Sequence, residues 1–301
     1  MSGSTLASCA SGGGGTSPAA AAAVPSLGPG QSAVVTYCNG QRARITEPER
    51  LDGPAPAAIY VHGGSWVSGN YDTGGFLIDE IGPALERAGF VVASVDYRLG
   101  PAAPWPDQII DVKCAVRYLR ANAKALHVDP GAIAAWGQSA GGHLVSLLAT
   151  AGPQAGWDTG AYPGVSSAID AVVDMAGPSD LLTLGNAGDS GVVQDSFISL
   201  LGNVAPSRLG LALQDASPVT YVAPGDPPFL IFQADNDEIV YPRQSQDLTW
   251  DLAAAGVPVT LVVVHGGGHE LDQPGGSPDP AQITSMVVAF LVKTLHVHPS
   301  H

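Results

Sequence analysis

The sequence predicts an α/β fold, with a mostly parallel central sheet and helices on both of its faces. From residue 55 onward, short apolar runs alternate with segments of helical spacing, and such runs are typical of strands buried on both faces. Strict alternation of strand and helix makes successive strands parallel and covers both sides of the sheet. The chain has 301 residues, 45% of them hydrophobic, which allows one large domain or two small ones.

The first predicted elements follow an uncharged N-terminal segment. Residues 32–47 favour an antiparallel pair of edge strands. Residues 57–62 form an apolar run that ends in a glycine pair, as a buried parallel strand does. Residues 76–88 have helical spacing and stop at Gly89, and residues 90–95 are the next apolar run.

The remaining elements continue in the same order. Further strands are predicted at 132–136, 169–175, 229–232 and 259–264, and further helices at 107–125, 140–150, 242–255 and 278–295. Gly256 ends one of these helices and Pro280 stands near the start of the last, as these residue types favour. Residues 177–225 are irregular with short helical fragments, and we expect them to form a small cap or lid; residues 296–301 are a tail.

Residues 1–31 differ in composition from the rest of the chain. They are rich in glycine, alanine, proline and serine, which predicts a flexible linker ahead of a folded domain at 32–295. The run Leu6-Ala-Ser-Cys9 resembles a bacterial lipobox, in which the cysteine is lipidated. We therefore expect a truncated lipoprotein or secretory leader, a lipid anchor at Cys9 and an exported protein. A chance match in a linker of a cytoplasmic protein is the alternative.

Charge and cysteine content exclude several classes of protein. The chain has 12 basic and 27 acidic side chains and a net charge of −15, which argues against a nucleic-acid partner because phosphate binding needs a basic surface. No apolar run is long enough for a transmembrane helix. Three cysteines without a Cys-x-x-Cys pair predict neither a disulfide scaffold nor structural zinc. Cys38 and Cys114 would pair in an exported protein, but two separate core cysteines are the favoured interpretation.

The strongest motif is Gly-Gln-Ser-Ala-Gly at residues 137–141. It lies between the predicted strand 132–136 and the predicted helix 140–150. A nucleophilic serine on a strained strand-to-helix turn needs glycine on each side, because a Cβ there would clash. Ser139 is therefore the candidate nucleophile, and the alternative is a tight turn with a passive serine.

A second glycine-rich motif, His-Gly-Gly-Ser-Trp at residues 62–66, also follows a strand. Glycines leave backbone N–H groups free to point at one site, as an acyl-transfer enzyme needs where negative charge develops. We assign the N–H groups of Gly64, Ser65 and Ala140 to this oxyanion hole. His62 is interpreted as a structural hydrogen-bonding residue.

Two more loops supply a candidate acid and a candidate base. The loop after strand 229–232 contains Asp235, Asp237 and Glu238, and spacing alone does not choose among them. The loop after strand 259–264 contains His265 and His269. A histidine beyond the last strand can reach the serine as a general base, and His269 is better placed because His265 continues the strand into the base of the loop.

The order serine, acid, histidine is that of α/β-hydrolases, and residues 33–293 resemble the hormone-sensitive-lipase-like and bacterial feruloyl-esterase-like branch of that family. The matching stretches are 62–66, 95–99, 137–143, 216–221 and 266–269. The resemblance selects Asp237 as the acid, because the family's acid precedes an Ile/Val-Val pair, and it selects His269 as the base. The chain departs from the family at two places. It has Gln233-Ala234 where the family often has His-Gly, and Glu238 where the family often has proline.

The resemblance implies an α/β-hydrolase fold and a serine carboxylesterase with a Ser139-His269-Asp237 triad, which needs no cofactor or metal. Expected substrates are short-chain or aromatic esters of the acetyl or feruloyl type, free or attached to a polymer, and polyesters if the cap is open. Trp66 is a candidate substrate contact. The alternatives are an arylformamidase acting on N-formylkynurenine, a peptidase of the oligopeptidase type, and a non-catalytic binding module, which typically loses the serine or the histidine.

Overall fold

The structure is a computed structural model that describes residues 24–186 and 191–296. Its central sheet has eight strands in the order β1-β2-β4-β3-β5-β6-β7-β8. The strands are β1 (Ser32–Thr36), β2 (Arg42–Thr46), β3 (Ala55–Val61), β4 (Val91–Val95), β5 (Val128–Gln138), β6 (Ala171–Met175), β7 (Phe229–Ala234) and β8 (Val259–Val264). β2 is antiparallel to both β1 and β4, and all other neighbours are parallel. The predicted α/β fold with an antiparallel edge pair is confirmed.

Eight α-helices connect or flank these strands in the described ranges. They are α1 (Gly82–Arg87), α2 (Asp107–Ala121), α3 (Ala140–Thr150), α4 (Leu181–Asn186), α5 (Gly191–Leu201), α6 (Leu209–Asp215), α7 (Pro242–Ala254) and α8 (Pro280–Thr294). A π-helical turn, Leu77–Ile81, precedes α1. At the start of α8, Asp279 and Gln282 form a reciprocal capping box, which satisfies backbone donors that have no partner inside the helix. No helix in these ranges has both the length and the apolar character needed to cross a membrane.

When the π-helical turn is counted with α1, two element ends differ from the predicted ones by four residues, more than any other. β5 begins at Val128, before the predicted start at 132, because Val128 already pairs with Ala55 of β3. α2 ends at Ala121 rather than at 125, since the next residue, Asn122, folds its side chain back onto the carbonyl oxygen of Tyr118 at 2.8 Å. The C-terminal end of β5 and the start of α3 lie where the motif at 137–141 predicts them.

The sheet separates two apolar cores, and alternate residues of each strand contribute to one or the other. Ile59 of β3 and Ala135 of β5 point to the face covered by α2, α3 and α7, whereas their neighbours Tyr60 and Trp136 point to the face covered by α1 and α8. All four side chains are almost fully buried. This packing fixes the carboxyl ends of the parallel strands, where the predicted site residues follow.

The described residues of the segment 177–225 pack beside the sheet. The amide of Trp105 donates to the carbonyl oxygen of Leu200 at 2.7 Å, and Gly100 leaves no room for a side chain because the backbone of Ser199 lies against it. Phe197 and Leu200 are buried in the core on the α3 side of the sheet. The described residues of this segment are thus anchored to the loop before α2.

Cys38, in the turn after β1, forms a disulfide with Cys114 of α2, and their Cα atoms are 6.2 Å apart. The expectation of two separate core cysteines is wrong. Both residues are buried, and the turn that holds Cys38 lies over α2, a proximity that spacing in the sequence does not reveal. The bond joins the antiparallel edge of the sheet to a helix on one of its faces. Cys9 and residues 297–301 lie outside the described residues, as do residues 1–23 of the predicted linker.

Replacing Cys114 with serine is expected to lower the free energy of unfolding by about 2–4 kcal/mol, because the crosslink restricts the unfolded chain. Denaturant unfolding with and without a reductant measures the effect. The reductant should destabilise the wild-type chain and leave the Cys114→Ser variant unchanged. Three reactive thiols in denatured, unreduced protein that carries no lipid, out of the three cysteines present, would contradict the disulfide; one, from Cys9, is expected.

Candidate active site

The turn that carries Ser139 is strained and tightly enclosed. Ser139 joins β5 to α3 with φ 56° and ψ −122°, a conformation that side-chain-bearing residues rarely adopt. A Cβ on Gly137 would lie 2.6 Å from the backbone of Gly141, and one on Gly141 would overlap the carbonyl oxygen of Val61 at the end of β3. The amide of Ser139 donates to the carbonyl oxygen of Met175 on β6 at 2.9 Å. Three adjacent strands therefore hold the serine at the carboxyl edge of the sheet.

Asp174 supports this turn from β6. Its carboxylate accepts hydrogen bonds from the hydroxyl of Ser146 on α3 and from the amide of Gly177, both at 2.9 Å. A side chain on Gly142 would collide with the same carboxylate. Because Asp174 is fully buried, the pKa of its carboxyl group is raised to about 6.

The loops after β7 and β8 bring Asp237 and His269 together. Nδ1 of His269 donates to Oδ2 of Asp237 at 2.8 Å, and the two side chains are 9% and 0% exposed. The amides of Ile239 and Val240 donate to the other carboxylate oxygen, each at 2.9 Å. The carboxylate is thus fixed from both sides, which orients the histidine ring. His269 and Ser139 line the same cavity.

The competing acid and base form a separate pair. Nδ1 of His265 lies 3.0 Å from Oδ2 of Asp235, and their side chains are 74% and 39% exposed. Hydrogen bonding from His265 lowers the pKa of the Asp235 carboxyl group. The sequence placed His265 in the base of the loop, but its side chain is exposed. Only its backbone continues the strand, by pairing with Ser277. Glu238 is exposed. None of these three residues is among those that line the cavity of Ser139.

The predicted oxyanion donors come from two elements, the loop after β3 and the start of α3. Gly64 and Ser65 have φ values of 108° and 53° and line the cavity, whereas Ala140 is the first residue of α3. A helix leaves its first amides without a partner inside the helix. Among the hydrogen bonds of the described residues, none is donated by the amides of Gly64, Ser65 or Ala140. These three N–H groups therefore have no hydrogen-bond acceptor among the described residues.

His62 has a structural role at the start of the glycine-rich loop after β3, as we expected from the sequence. Its ring is fully buried and stacks on Tyr97 with the ring centroids 4.3 Å apart. The hydroxyl of Tyr97 donates to the carbonyl oxygen of His62 at 3.1 Å. Nδ1 of His62 lies 2.7 Å from the carbonyl oxygen of Gly63, and burial lowers the pKa of the ring.

Two glutamines in the site were not identified from the sequence. Gln138 donates to the carbonyl oxygen of His269 at 2.8 Å, which ties the histidine loop to the residue before Ser139. Gln233 donates to Oδ2 of Asp237 at 3.1 Å and accepts from the hydroxyl of Ser245 at 2.8 Å. The only sequence signal for Gln233 was its departure from the family pattern.

A cavity of about 400 Å³ opens in front of Ser139. Its lining includes several glycines, the apolar residues Phe76 and Ile239, and the acidic residues Glu270 and Asp272. No described residue of 177–225 lines it, so the expected cap does not cover it there. Trp66 is also absent from the lining and is only 4% exposed, because its indole packs inward between His143 and Phe197. The structure gives no support to Trp66 as a direct substrate contact.

Comparison with known proteins identifies the family. The BD-FAE family model matches residues 44–252. Esterase LipC and carboxylesterase NlhH, both from Mycobacterium tuberculosis, are 30% identical over 248 residues and 32% identical over 267 residues. The alignments cover 81% and 84% of this chain, and 59% of LipC and 78% of NlhH. The chain thus spans less than two thirds of LipC.

Solved structures agree with this assignment. A structure described as a truncated carbohydrate esterase from gut microbiota superposes with a TM-score of 0.75 at 28% identity, covering 90% of this chain and 100% of the other. Butyrate-bound esterase 2 of Thermogutta terrifontis has the same fold, with a TM-score of 0.72 at 24% identity over 91% of this chain and 97% of the other. The chain belongs to the BD-FAE family and has the α/β-hydrolase fold, and the resemblance to α/β-hydrolase esterases is confirmed.

Replacing Asp174 with asparagine is expected to change how stability depends on pH. The folded-state pKa of Asp174 is about 6 against an ordinary value of 3.8, so ionising the carboxyl group costs folding free energy. The unfolding free energy of the wild type relative to the variant should fall as the pH rises between these values, by about 3 kcal/mol at most. Urea unfolding of both chains across this range measures the difference, and identical pH dependences would contradict it.

Proposed function

We propose that this chain is a carboxylic-ester hydrolase that acts through Ser139, His269 and Asp237. The observation that carries the proposal is the buried His269–Asp237 hydrogen bond of 2.8 Å at the edge of the cavity that Ser139 lines. The names of LipC and NlhH, an esterase and a carboxylesterase, support the same chemistry. Residues 32–295 would form the catalytic domain.

The proposed reaction begins with proton transfer to His269. Because Nδ1 of His269 donates to Asp237, its other ring nitrogen is the one free to accept the hydroxyl proton of Ser139. The serine oxygen then bonds to the ester carbonyl carbon, and the carbonyl oxygen takes the negative charge. Asp237 holds the ring in this tautomer and stabilises the imidazolium that forms.

The proposed oxyanion donors act at the next step. The amides of Gly64, Ser65 and Ala140 would donate to the negative oxygen, and one such donor is worth about 10²–10³-fold in turnover. The imidazolium protonates the leaving alcohol, which leaves an acyl group on Ser139. Water, deprotonated by His269, attacks the acyl carbon, and collapse of the second intermediate releases the carboxylic acid and restores the serine.

The size and lining of the cavity support neutral esters with short or aromatic acyl groups as substrates. A volume of about 400 Å³ is at the small end of ligand sites, and Phe76 and Ile239 provide apolar surface. Glu270 and Asp272 at the same cavity would repel an anionic ester. A carbohydrate esterase is among the proteins of similar structure, so acetyl or feruloyl esters on carbohydrate are the substrates proposed first.

We also propose that the protein is exported. The Cys38–Cys114 disulfide supports this, because disulfides persist mainly in oxidising compartments. A lipid anchor at Cys9 would hold the enzyme at the cell surface. Metabolic labelling with a radioactive fatty acid in a bacterial host tests the anchor.

Replacing Ser139 with alanine should lower kcat for p-nitrophenyl acetate by about 10⁶-fold, because the nucleophile is lost. A fluorophosphonate probe should label the wild type at Ser139 and leave the variant unlabelled. Substantial remaining activity in the variant would disprove the proposed mechanism.

Replacing His269 with alanine should lower kcat by about 10⁵–10⁶-fold, whereas His265→Ala is the matched control. His265 also pairs with an aspartate, but it is exposed and does not line the cavity. We therefore expect the control to keep the wild-type rate. Equal losses in both variants would contradict the assignment of the base.

The substrate proposal predicts a steep preference for small acyl groups. The p-nitrophenyl esters of acetate and butyrate should be cleaved at least about tenfold faster than the laurate ester, because a small cavity leaves little room for a long acyl chain beside the rest of the ester. Methyl ferulate, acetylated xylan, N-formylkynurenine and a polyester film complete the panel. The fastest cleavage of N-formylkynurenine would instead indicate an arylformamidase.

A further inference from the structure

Two consecutive residues of the oxyanion loop, defined as residues 63–67, have left-handed backbone conformations. Ser65 has φ 53° and Trp66 has φ 61°, directly after Gly64 with φ 108°. Residues with side chains rarely adopt this conformation, and it persists only where surrounding contacts hold it. The loop therefore needs an anchor outside its own backbone.

The side chain of Trp66 provides that anchor. Its indole N–H donates to Nδ1 of His143 at 3.1 Å, and the two rings meet edge to face with centroids 5.1 Å apart. Phe197 of α5 packs on the same indole with a centroid distance of 6.3 Å. We call the bond between Trp66 Nε1 and His143 Nδ1 the tryptophan–histidine contact.

The second ring nitrogen of His143 fixes the tautomer. Nε2 lies 2.6 Å from the carbonyl oxygen of Ala216, which can only accept a hydrogen bond, so Nε2 carries the proton. The indole can only donate, so Nδ1 must be unprotonated. The ring is therefore neutral in this arrangement, and its complete burial lowers its pKa to about 4.

His143 also belongs to the helix that begins at the nucleophile. Its amide donates to the carbonyl oxygen of Ser139 at 3.0 Å, and Ala140 is the first residue of the same helix. The tryptophan–histidine contact therefore joins the loop of Gly64 and Ser65 to the helix of Ala140. These are the two sources of the proposed oxyanion donors.

We propose that His143 is a positioning residue, whose neutral ring sets the distance between the two groups of oxyanion donors through Trp66. The segment 177–225 contributes to this positioning, since it supplies both the carbonyl oxygen that binds His143 and the ring of Phe197 that packs on Trp66. Its role would be to brace the oxyanion loop. This inference rests on the proposed function.

The test compares Trp66→Phe with the wild type, because phenylalanine keeps an aromatic ring but loses the indole N–H. We expect kcat for p-nitrophenyl acetate to fall about tenfold while KM changes by less than about twofold, since an oxyanion contact acts in the transition state. A trifluoromethyl ketone forms a tetrahedral adduct with the serine. Its affinity should fall by the same factor as kcat/KM.

Trp105→Phe is the matched control. Trp105 also lies beside His143, with ring centroids 6.1 Å apart, but its indole N–H is directed at Asp215, at 3.3 Å. The same substitution there also removes an indole N–H beside His143 but keeps the tryptophan–histidine contact, so kcat and the ketone affinity should fall by clearly less than in Trp66→Phe. Thermal unfolding of each variant measures any general loss of stability.

His143 itself gives a second and independent pair of variants. In His143→Asn, an amide oxygen can accept the indole N–H, whereas His143→Leu offers no acceptor. We expect the asparagine variant to keep more of the ketone affinity than the leucine variant, which a purely steric role of the ring would not produce. Equal losses in the two variants would overturn the proposal.

The failure of this inference is distinguishable from failure of the proposed function. If the wild type neither reacts with a fluorophosphonate at Ser139 nor cleaves esters, the proposed function is wrong. If it does both, but Trp66→Phe binds the ketone as tightly as the wild type does, only the positioning role of His143 is wrong.

Discussion

The close approach of the turn at Ser139 to the end of β3 is the constraint on which the rest of the site depends. Gly137 and Gly141 leave no room for a Cβ because each lies against the carbonyl oxygen of Val61. This contact holds the serine in a left-handed conformation and places the start of α3 beside the glycine-rich loop that follows β3. A side chain at either glycine would separate the nucleophile from the predicted oxyanion donors, because backbone cannot move aside as a flexible side chain can.

Around this turn, the site is built from hydrogen bonds between loops of different strands. Gln138 connects the serine turn to the histidine loop after β8, and Gln233 connects β7 to the acid on its own loop. His143 connects α3 to the oxyanion loop. Loops are the most mobile parts of a fold, so buried polar contacts of this kind restrict them to one arrangement. The proposed catalytic groups gain their fixed geometry from residues that take no chemical part in the proposed reaction.

Much of the fold was predictable because burial on both faces leaves a clear pattern. The apolar runs of β3, β4 and β6 to β8 and the amphipathic helices between them were recognisable, and the motif at 137–141 located Ser139 through its position between strand and helix. The element ends were less predictable, since the early start of β5 depends on pairing with Ala55. The Cys38–Cys114 bond was missed for a similar reason. A spacing of 76 residues does not indicate that the turn after β1 lies over α2.

The sequence by itself determined the order of elements and the residue types available at each strand end, because periodicity and glycine placement are local properties. It offered three acids and two histidines, and spacing did not choose among them. Tertiary structure separated them into a buried pair, His269 with Asp237, and an exposed pair, His265 with Asp235. It also turned Trp66 inward, toward His143. Both outcomes depend on which loops meet at the edge of the sheet, and contacts between distant segments leave no periodic pattern in the chain.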